Sequence, residues 1–198
     1  EAEAIKLFSN TFLAMRIGFF NELDSFAMQN DLDTESIIKG LSKDKRIGSF
    51  YNNPSFGFGG YCLPKDTKQT VTSLKNVPSP LINAIDKSNT SRKEFLANKI
   101  IKMNPKIIGI YRLNMKKDSD NFRDSASVGL IKILREMKKD LLIYEPLIKT
   151  NIFEGFNVED NLDKFLAISD IIVANRVDSV ISQYKSKVFT RDIFNTDK

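Results

Sequence analysis

The sequence predicts an α/β protein in two parts: an all-helical domain over residues 1–104 and a small Rossmann-like α/β domain with a parallel sheet over residues 105–198. Before Asn104-Pro105, apolar residues recur at three-, four- and seven-residue intervals, which is the helical period. After that point, short β-rich runs alternate with helical runs. Such alternation is typical of a parallel sheet covered by helices.

Four helices are predicted in the first part. The longest runs from Ala2 to Gln29, where a broad apolar stripe repeats with helical spacing. Ser79-Pro80 is a good cap and first-turn pair for a second long helix that reaches Met103. Shorter helices are predicted from Thr34 to Ser42 and from Pro64 to Lys75. The stripe of the first helix consists of Ile5, Phe8, Phe12, Phe19, Leu23 and Phe26.

Four strands and two helices are predicted in the second part. The helices run from Ser125 to Lys138 and from Leu162 to Ile168. Ligands of parallel sheets gather at the carboxyl ends of the strands. Lys116, Asp120 and Arg123 follow the first strand and Arg176 follows the third, so these side chains are expected near a ligand. The strands are Lys106 to Tyr111, Leu141 to Tyr144, Ile171 to Ala174, and Val188 to Phe189.

The composition is that of a globular cytoplasmic protein, with 41% apolar and 28% charged residues. A single cysteine excludes an intrachain disulfide framework. No apolar stretch approaches the roughly 18 residues that span a bilayer. The net charge of +5 could suit a polyanion, but the lysines are dispersed and form no dense basic block. We therefore predict no nucleic-acid partner, no membrane association and no metal site.

The single cysteine, Cys62, lies in a loop where a nucleophile would be well placed. Glycines at positions 57, 59 and 60 allow positive φ and a close approach to a ligand, and Pro64 suits the first turn of a helix. Cys62 would then lie just before a helix N-terminus, where the helix dipole and nearby Lys65 favour the thiolate. The alternative interpretation is that a lone cysteine acts as a small buried hydrophobic residue.

Three polar residues could complete such a site. Lys6 and Asn10 are four residues apart on the first helix, so a cation and an amide donor project from one face and can converge on one oxygen. Asp66 lies four residues after Cys62 in the first helical turn. The alternatives are an ordinary surface lysine and amide, and a carboxylate that stabilises the helix dipole.

Several runs along the chain together carry a family resemblance. The run Phe56 to Thr67, FGFGGYCLPKDT, resembles the active-site loop of the UDP-glucose/GDP-mannose dehydrogenase family, and the match covers essentially the whole sequence. That family opens with an NAD-binding Rossmann domain bearing a glycine-rich first turn, which does not occur here. The resemblance therefore implies the central dimerisation domain and the C-terminal nucleotide-sugar-binding domain of a longer enzyme, and a fragment that is inactive alone. The other matching runs are Ala2 to Asn10, Phe19 to Leu23, Tyr111 to Lys116, Ser119 to Arg123, and Thr190 to Phe194.

The resemblance implies two NAD-dependent oxidations at the C6 alcohol of UDP-glucose, which give UDP-glucuronate. Cys62 would trap the aldehyde as a thiohemiacetal, and the second oxidation would give a thioester that water cleaves. Lys6 and Asn10 would stabilise negative charge on the sugar oxygen, and Asp66 would assist proton movement and hydrolysis. The chain contains no histidine, so an imidazole base cannot come from it.

The same resemblance implies binding residues and a partner. A homodimer through the central helices is expected, and the apolar surface that Phe12, Met15, Phe19 and Phe20 spread around the first helix agrees with it. A monomer whose helices bury one another is the alternative. The implied substrate-binding residues are Tyr51, Phe58, Gly59, Lys116 and, reaching the substrate of the neighbouring subunit, Arg46; Arg123 would contact NAD, and Arg176 is a weaker candidate on the uridine side.

Two kinds of alternative function stay open. GDP-mannose or UDP-N-acetylmannosamine could replace UDP-glucose as the substrate, although the runs Tyr61 to Asp66 and Ser119 to Arg123 favour UDP-glucose. The chain could also be a noncatalytic module that dimerises and binds nucleotide sugars, with Cys62 buried and inert.

Overall fold

The computed structural model describes residues 1–113 and 125–195. Four helices make up its first part: α1 (Ala2–Gln29), α2 (Thr34–Ser42), α3 (Cys62–Ser73) and α4 (Pro80–Lys102). The bounds of α1 and α2 are those predicted, and α4 ends one residue before the predicted end. Helix α3 begins and ends two residues earlier than predicted, and this shift moves Cys62 into the helix.

A capping hydrogen bond explains where α2 begins, and a proline explains where α4 begins. Asp33 caps α2, because its side chain accepts the Glu35 N–H at 3.1 Å. Pro80 opens α4, where its missing N–H leaves no hydrogen bond unmade. Ser79 makes no side-chain cap bond to the helix backbone. Its hydroxyl instead accepts from the Asn83 side-chain amide at 3.1 Å, so the predicted serine cap does not form.

Helix α1 packs against α3 and α4, and its buried residues are mostly small or polar, with Leu7 and Phe20 as the large apolar exceptions. Ala14, Gly18, Asn21 and Ala27 are among its buried residues. Most of the predicted apolar stripe faces the other way, and the described residues of this chain do not cover it. The exposed fractions are 67% for Ile5, 47% for Phe8, 55% for Phe12, 57% for Phe19 and 60% for Phe26.

The second part is a six-stranded sheet with the strand order β3-β4-β2-β1-β5-β6. All neighbouring strands are parallel except β3 and β4, which form an antiparallel pair. The predicted strands and helices form, with ends that differ from the predicted ones by at most two residues. The elements are β1 (Ile107–Tyr111), α5 (Ala126–Glu136), β2 (Asp140–Tyr144), β3 (Ile152–Phe153), β4 (Phe156–Val158), α6 (Leu162–Ile168), β5 (Ile171–Val173), a 3-10 turn (Ile181–Tyr184) and β6 (Val188–Phe189).

The β3–β4 hairpin was not predicted from the sequence. Its two strands have two and three residues, which is too short for an alternating apolar pattern. The turn between them places both Glu154 and Gly155 at positive φ, 52° and 85°. That geometry is typical of a two-residue hairpin turn, so the Glu-Gly pair was the available signal.

One hydrophobic core joins the two parts of the chain. The second half of α4 packs on the sheet beside α5, and the opposite face of the sheet is covered by α6. None of the helices within residues 1–113 and 125–195 is both long enough and apolar enough to cross a membrane. The shared core includes Leu96, Ala97 and Ile100 of α4, Ile108 and Ile110 of β1, and Leu130, Ile131 and Leu134 of α5.

Candidate active site

Cys62 occupies the first position of α3 and is exposed. Tyr61 precedes it at the N-cap position and makes no side-chain cap bond. The first backbone N–H groups of a helix have no partner within the helix, and the helix dipole is positive at this end. Gly60, two residues before the helix, has φ of 80°, and a Cβ at this position would meet no atom within 4 Å. The thiol is therefore accessible to a ligand and lies beside helix N–H donors.

Two of the predicted catalytic residues are in direct contact. Asn10 Nδ2 on α1 donates to Asp66 Oδ2 on α3 at 2.5 Å. Asp66 is only 2% exposed. The other two residues each lie one helical turn away, Lys6 from Asn10 along α1 and Cys62 from Asp66 along α3. The contact between α1 and α3 thus brings an amide, a carboxylate and the turn that carries the thiol to one place.

The surroundings of Asp66 are buried and polar. Thr70 Oγ1 donates to the Asp66 main-chain oxygen at 2.8 Å and lies 2.8 Å from Thr11 Oγ1. Thr67 is fully buried, and its hydroxyl is without a hydrogen-bond partner among the described residues. A buried hydroxyl without a partner is costly unless water or a ligand satisfies it. Thr67 is a buried neighbour of Asp66 on α3 that the sequence analysis did not single out.

Phe58 and Gly59 differ in their environments. The Phe58 side chain is 2% exposed and packs with Ala14 and Ile85, so it lies in the helical core. Gly59 is partly exposed. Gly59 is not among the positive-φ glycines, whereas Gly57 and Gly60 are. Of the three glycines that the sequence analysis noted as allowing positive φ, two adopt it.

Arg46 and Tyr51 lie in the segment between α2 and α3. Arg46 is exposed and forms an ion pair with Asp44 at 2.6 Å. Tyr51 is 54% exposed and has φ of 50°, in the left-handed region that non-glycine residues rarely adopt. Both side chains therefore face the surface of a single chain. Lys116 and Arg123, the remaining predicted binding residues, lie outside the described residues.

The segment that leads to Cys62 is held by side chains from the second part of the chain. The Phe56 N–H donates to Asn175 Oδ1 at 2.9 Å. Asn53 Nδ2 donates to Asp192 Oδ1 at 2.7 Å. Arg176, the weaker uridine-side candidate, donates from Nη1 to the Pro54 oxygen at 3.3 Å. The loop is therefore a contact between the two parts of the chain.

A buried ion cluster lies behind this loop. Asp24 on α1 is fully buried, and its Oδ2 accepts from Arg92 Nη2 at 2.5 Å and from Arg191 Nε at 2.8 Å. Burial, which raises the pKa of Asp24, is outweighed by the hydrogen bond from Arg191 and the charges of Arg92 and Arg191. The pKa of Asp24 is thus held below its ordinary value of 3.8. Arg92 Nε also donates to the Ser55 oxygen at 3.1 Å.

Sequence reasoning missed these supporting residues because their partners are distant in the chain. Asn53 and Asp192 are 139 residues apart, and Asp24 and Arg191 are 167 apart. Helical or strand periodicity carries no information on such pairs. Only the run Thr190 to Phe194, noted for its family resemblance, marked one end of these contacts in advance.

Comparison with known proteins gives a match for each part of the chain. Residues 1–91 match the model of the UDP-glucose/GDP-mannose dehydrogenase family, central domain. Residues 109–196 match the model of the same family's UDP binding domain. The two matches thus cover most of the sequence, in the order in which the two parts follow each other.

Two relatives align with the whole chain. It is 53% identical over 199 residues to a UDP-glucose 6-dehydrogenase of Campylobacter jejuni, covering 100% of this chain and 51% of that protein. It is 49% identical over 197 residues to a UDP-glucose 6-dehydrogenase of Streptococcus pneumoniae, covering 100% and 50%. The chain therefore spans about half the length of these relatives.

Solved structures share the fold. A UDP-glucose dehydrogenase from Pyrobaculum islandicum superposes with a TM-score of 0.81 at 22% identity, over 98% of this chain and 48% of that one. A GDP-mannose dehydrogenase from Pseudomonas aeruginosa gives a TM-score of 0.64 at 22% identity, over 95% and 49%. At these identities the likeness concerns the α/β architecture alone.

Proposed function

Because the chain belongs to the UDP-glucose/GDP-mannose dehydrogenase family, we propose that it provides the nucleophile and the nucleotide-sugar-binding part of an NAD-dependent UDP-glucose 6-dehydrogenase. The observation that carries this proposal is the exposed Cys62 thiol in the first turn of α3, one turn from the Asn10–Asp66 contact. An inert structural cysteine would more often be buried.

The side chains of this site suit acyl transfer after oxidation. A thiol can bind an aldehyde and later an acyl group, an amide can donate to the oxygen that becomes negative, and a carboxylate can accept a proton from water. None of the three can accept a hydride. The thiol, amide and carboxylate therefore fit a site that works with NAD. NAD, when bound, accepts one hydride in each of two oxidations. Arg123, outside the described residues, is the candidate of this chain for contacting it.

The proposed roles follow the chemistry step by step. The first oxidation removes a hydride from C6 and a proton from its hydroxyl, giving an aldehyde. The Cys62 sulfur adds to that carbon, and the resulting oxyanion is stabilised by Asn10 and Lys6. The second oxidation removes the remaining hydride from C6 and leaves a thioester. Water, deprotonated with the help of Asp66, attacks the thioester, and the carboxylate leaves as the Cys62 thiol re-forms.

UDP-glucose is the substrate that the comparisons favour. The second part of the chain matches the UDP binding domain of a family that also includes GDP-mannose dehydrogenases, so the choice of nucleotide rests on the relatives. The relatives at 53% and 49% identity are UDP-glucose 6-dehydrogenases, which favours glucose over N-acetylmannosamine. Tyr51, Gly59 and Lys116 are the proposed contacts along the nucleotide sugar. Phe58 would contribute mainly by shaping the loop, since its side chain is buried.

We further propose that a second copy of this chain covers the exposed face of α1. Phe12, Phe19 and Leu81 line an apolar groove of about 420 Å³ between α1 and α4 and are each more than half exposed in the single chain. Contiguous apolar surface of this kind marks an interface. Phe19→Asp should shift the chain toward monomer in sedimentation velocity, whereas Ile152→Asp, at an equally exposed residue of the sheet edge, should leave it unchanged. Equal behaviour of the two variants would contradict the dimer.

Turnover decides between the enzyme and a noncatalytic module. The chain is joined to the half of the Campylobacter jejuni relative that it does not match, and NADH formation is followed with UDP-glucose, GDP-mannose and UDP-N-acetylmannosamine. The proposal expects two NADH per molecule of UDP-glucose. The Cys62→Ala variant should form no UDP-glucuronate. An absence of turnover with all three sugars, together with a Cys62 thiol protected from iodoacetamide, would establish the module instead.

A further inference from the structure

We propose that Asn89 of α4 is a positioning residue for the Cys62 nucleophile, an inference that rests on the proposed function of Cys62. Asn89 was not singled out by the sequence and does not belong to the thiol, amide and carboxylate set described above. It is 7% exposed, and both polar atoms of its side chain are used on the backbone of one residue in the active-site loop.

The geometry is that of one peptide group paired with another. Asn89 Oδ1 accepts the Phe58 N–H at 2.9 Å. Asn89 Nδ2 donates to the Phe58 carbonyl oxygen at 2.9 Å. Among side chains in their ordinary protonation states at neutral pH, only a carboxamide presents an acceptor and a donor in one plane at this spacing. An aspartate could keep the first bond, but its second oxygen would face the Phe58 carbonyl oxygen without a donor.

Gly57 is shaped to admit Asn89. It adopts φ of 142°, in the region that favours glycine, and a Cβ built at this position would clash with Asn89 Oδ1. The loop therefore bends around the asparagine. Asn89 occupies the space that a side chain at position 57 would need, so glycine fits there. The Asn89 Oδ1 that accepts the Phe58 N–H thus also excludes a side chain at position 57.

The two hydrogen bonds between Asn89 and the Phe58 backbone form a clamp. This clamp matters because the segment between Phe58 and the thiol is rich in glycine. Gly59, Gly60 and Tyr61 separate the clamped residue from Cys62, and two of these three are glycines. Glycine backbone is conformationally free, so a fixed point at Phe58 restricts the path by which the chain enters α3. Arg92, one turn further along α4, donates to the Ser55 oxygen at 3.1 Å. Helix α4 thus holds the loop at two points ahead of the nucleophile.

A displaced nucleophile loses rate more than it loses binding. A misplacement of about 1 Å can reduce a rate by about a hundredfold. Asn89→Leu removes both bonds, keeps the number and branching of the side-chain heavy atoms, and leaves the Phe58 N–H and carbonyl unsatisfied. Asn89→Asp keeps the bond to the N–H only. We expect kcat for UDP-glucose to fall by about tenfold or more in both variants, and by a larger factor than KM rises.

Asn98 provides the matched control. It lies on the same helix, is exposed, and donates from Nδ2 to the Glu94 oxygen at 3.0 Å. Asn98→Leu and Asn98→Asp should leave kcat within about twofold of the parent enzyme. The variants are compared by thermal unfolding, and turnover is measured at a temperature where each is fully folded, so that a loss of stability does not count as a loss of positioning.

Hydrogen exchange separates this proposal from the function on which it rests. Exchange of the Phe58 amide should accelerate by about tenfold or more in the Asn89 variants and stay unchanged in the Asn98 variants. If the parent enzyme has no turnover, the proposed function fails, while exchange at Phe58 still tests the clamp. Unchanged exchange at Phe58, or a kcat that is unchanged or falls only in step with KM, would overturn the role of Asn89.

Discussion

Removing the charge of Asp24 tests whether the buried ion cluster fastens the two parts of the chain together. The Asp24→Asn variant keeps the size of the side chain and an acceptor for Thr34 Oγ1, which donates to Asp24 Oδ1 at 2.9 Å. It leaves the guanidinium groups of Arg92 and Arg191 close together without their counter-charge. Arg92 is 3% exposed, so water cannot replace the lost carboxylate there.

The expected loss follows from this burial. Removing one partner of a buried ion pair costs about 3–5 kcal/mol, because the remaining charge stays uncompensated. In a protein of this size, about 1 kcal/mol shifts Tm by roughly 2–4 °C, so a decrease on the order of 10 °C is expected. Glu35→Gln is the control, since its ion pair with Lys39 at 2.6 Å is 46% and 63% exposed. That change should cost less than about 1 kcal/mol.

Urea unfolding at several pH values completes the test. The pKa of Asp24 is lowered in the folded chain, so its contribution is present above the ordinary value of 3.8 and is lost as pH falls through the folded value. The stability difference between the parent chain and Asp24→Asn should therefore be constant near neutral pH and shrink below 3.8. A variant as stable as Glu35→Gln, or a difference that grows in acid, would refute the reasoning.

Three further outcomes are expected. Burial and the hydrogen bond to Asp178 raise the pKa of Tyr111, so parent stability should fall as pH rises above 10.0. Tyr111→Phe should lose about 1–2 kcal/mol at neutral pH, and urea unfolding should show no such alkaline decline. Asn53→Ala should speed hydrogen exchange at residues 190–195, since Asn53 donates to Asp192 at 2.7 Å. Cys62→Ser should abolish thiol labelling and, because Cys62 is exposed, change unfolding free energy by less than about 0.5 kcal/mol.

The elements of the fold could be predicted where the signal is local. Helical spacing and helix-start residues gave α1 and α2 within a residue, because periodicity and caps act over neighbouring positions. The start of α3 was placed two residues late, since Pro64 marks a first turn but not which of its positions it occupies. The face of α1 that packs inside the chain could not be predicted. Small residues such as Ala14 and Gly18 are buried there, whereas the apolar pattern was set by larger residues on another face.

The residues of the candidate site also separate into those with a local sequence signal and those without one. The Cys62 loop was recognisable from one continuous run. The spacing predicted Lys6 and Asn10 on one face of α1, and in the structure Asn10 contacts Asp66. The residues that hold the loop were not recognisable, because a buried asparagine such as Asn89 is identical in sequence to an exposed one such as Asn98. Only the packing of α4 decides which of them meets a backbone group.

The boundary predicted at residue 104 remains a prediction, and the shared core suggests how to test it. Leu96, Ala97 and Ile100 of α4 are fully buried in the core of the sheet. A fragment of residues 105–198 would lack them and would lose about 1.5–3 kcal/mol for each missing leucine or isoleucine. A fragment of residues 80–198 keeps them, so it should unfold cooperatively in urea while the shorter fragment does not. Equal cooperative unfolding of both fragments would show that the sheet folds independently of α4.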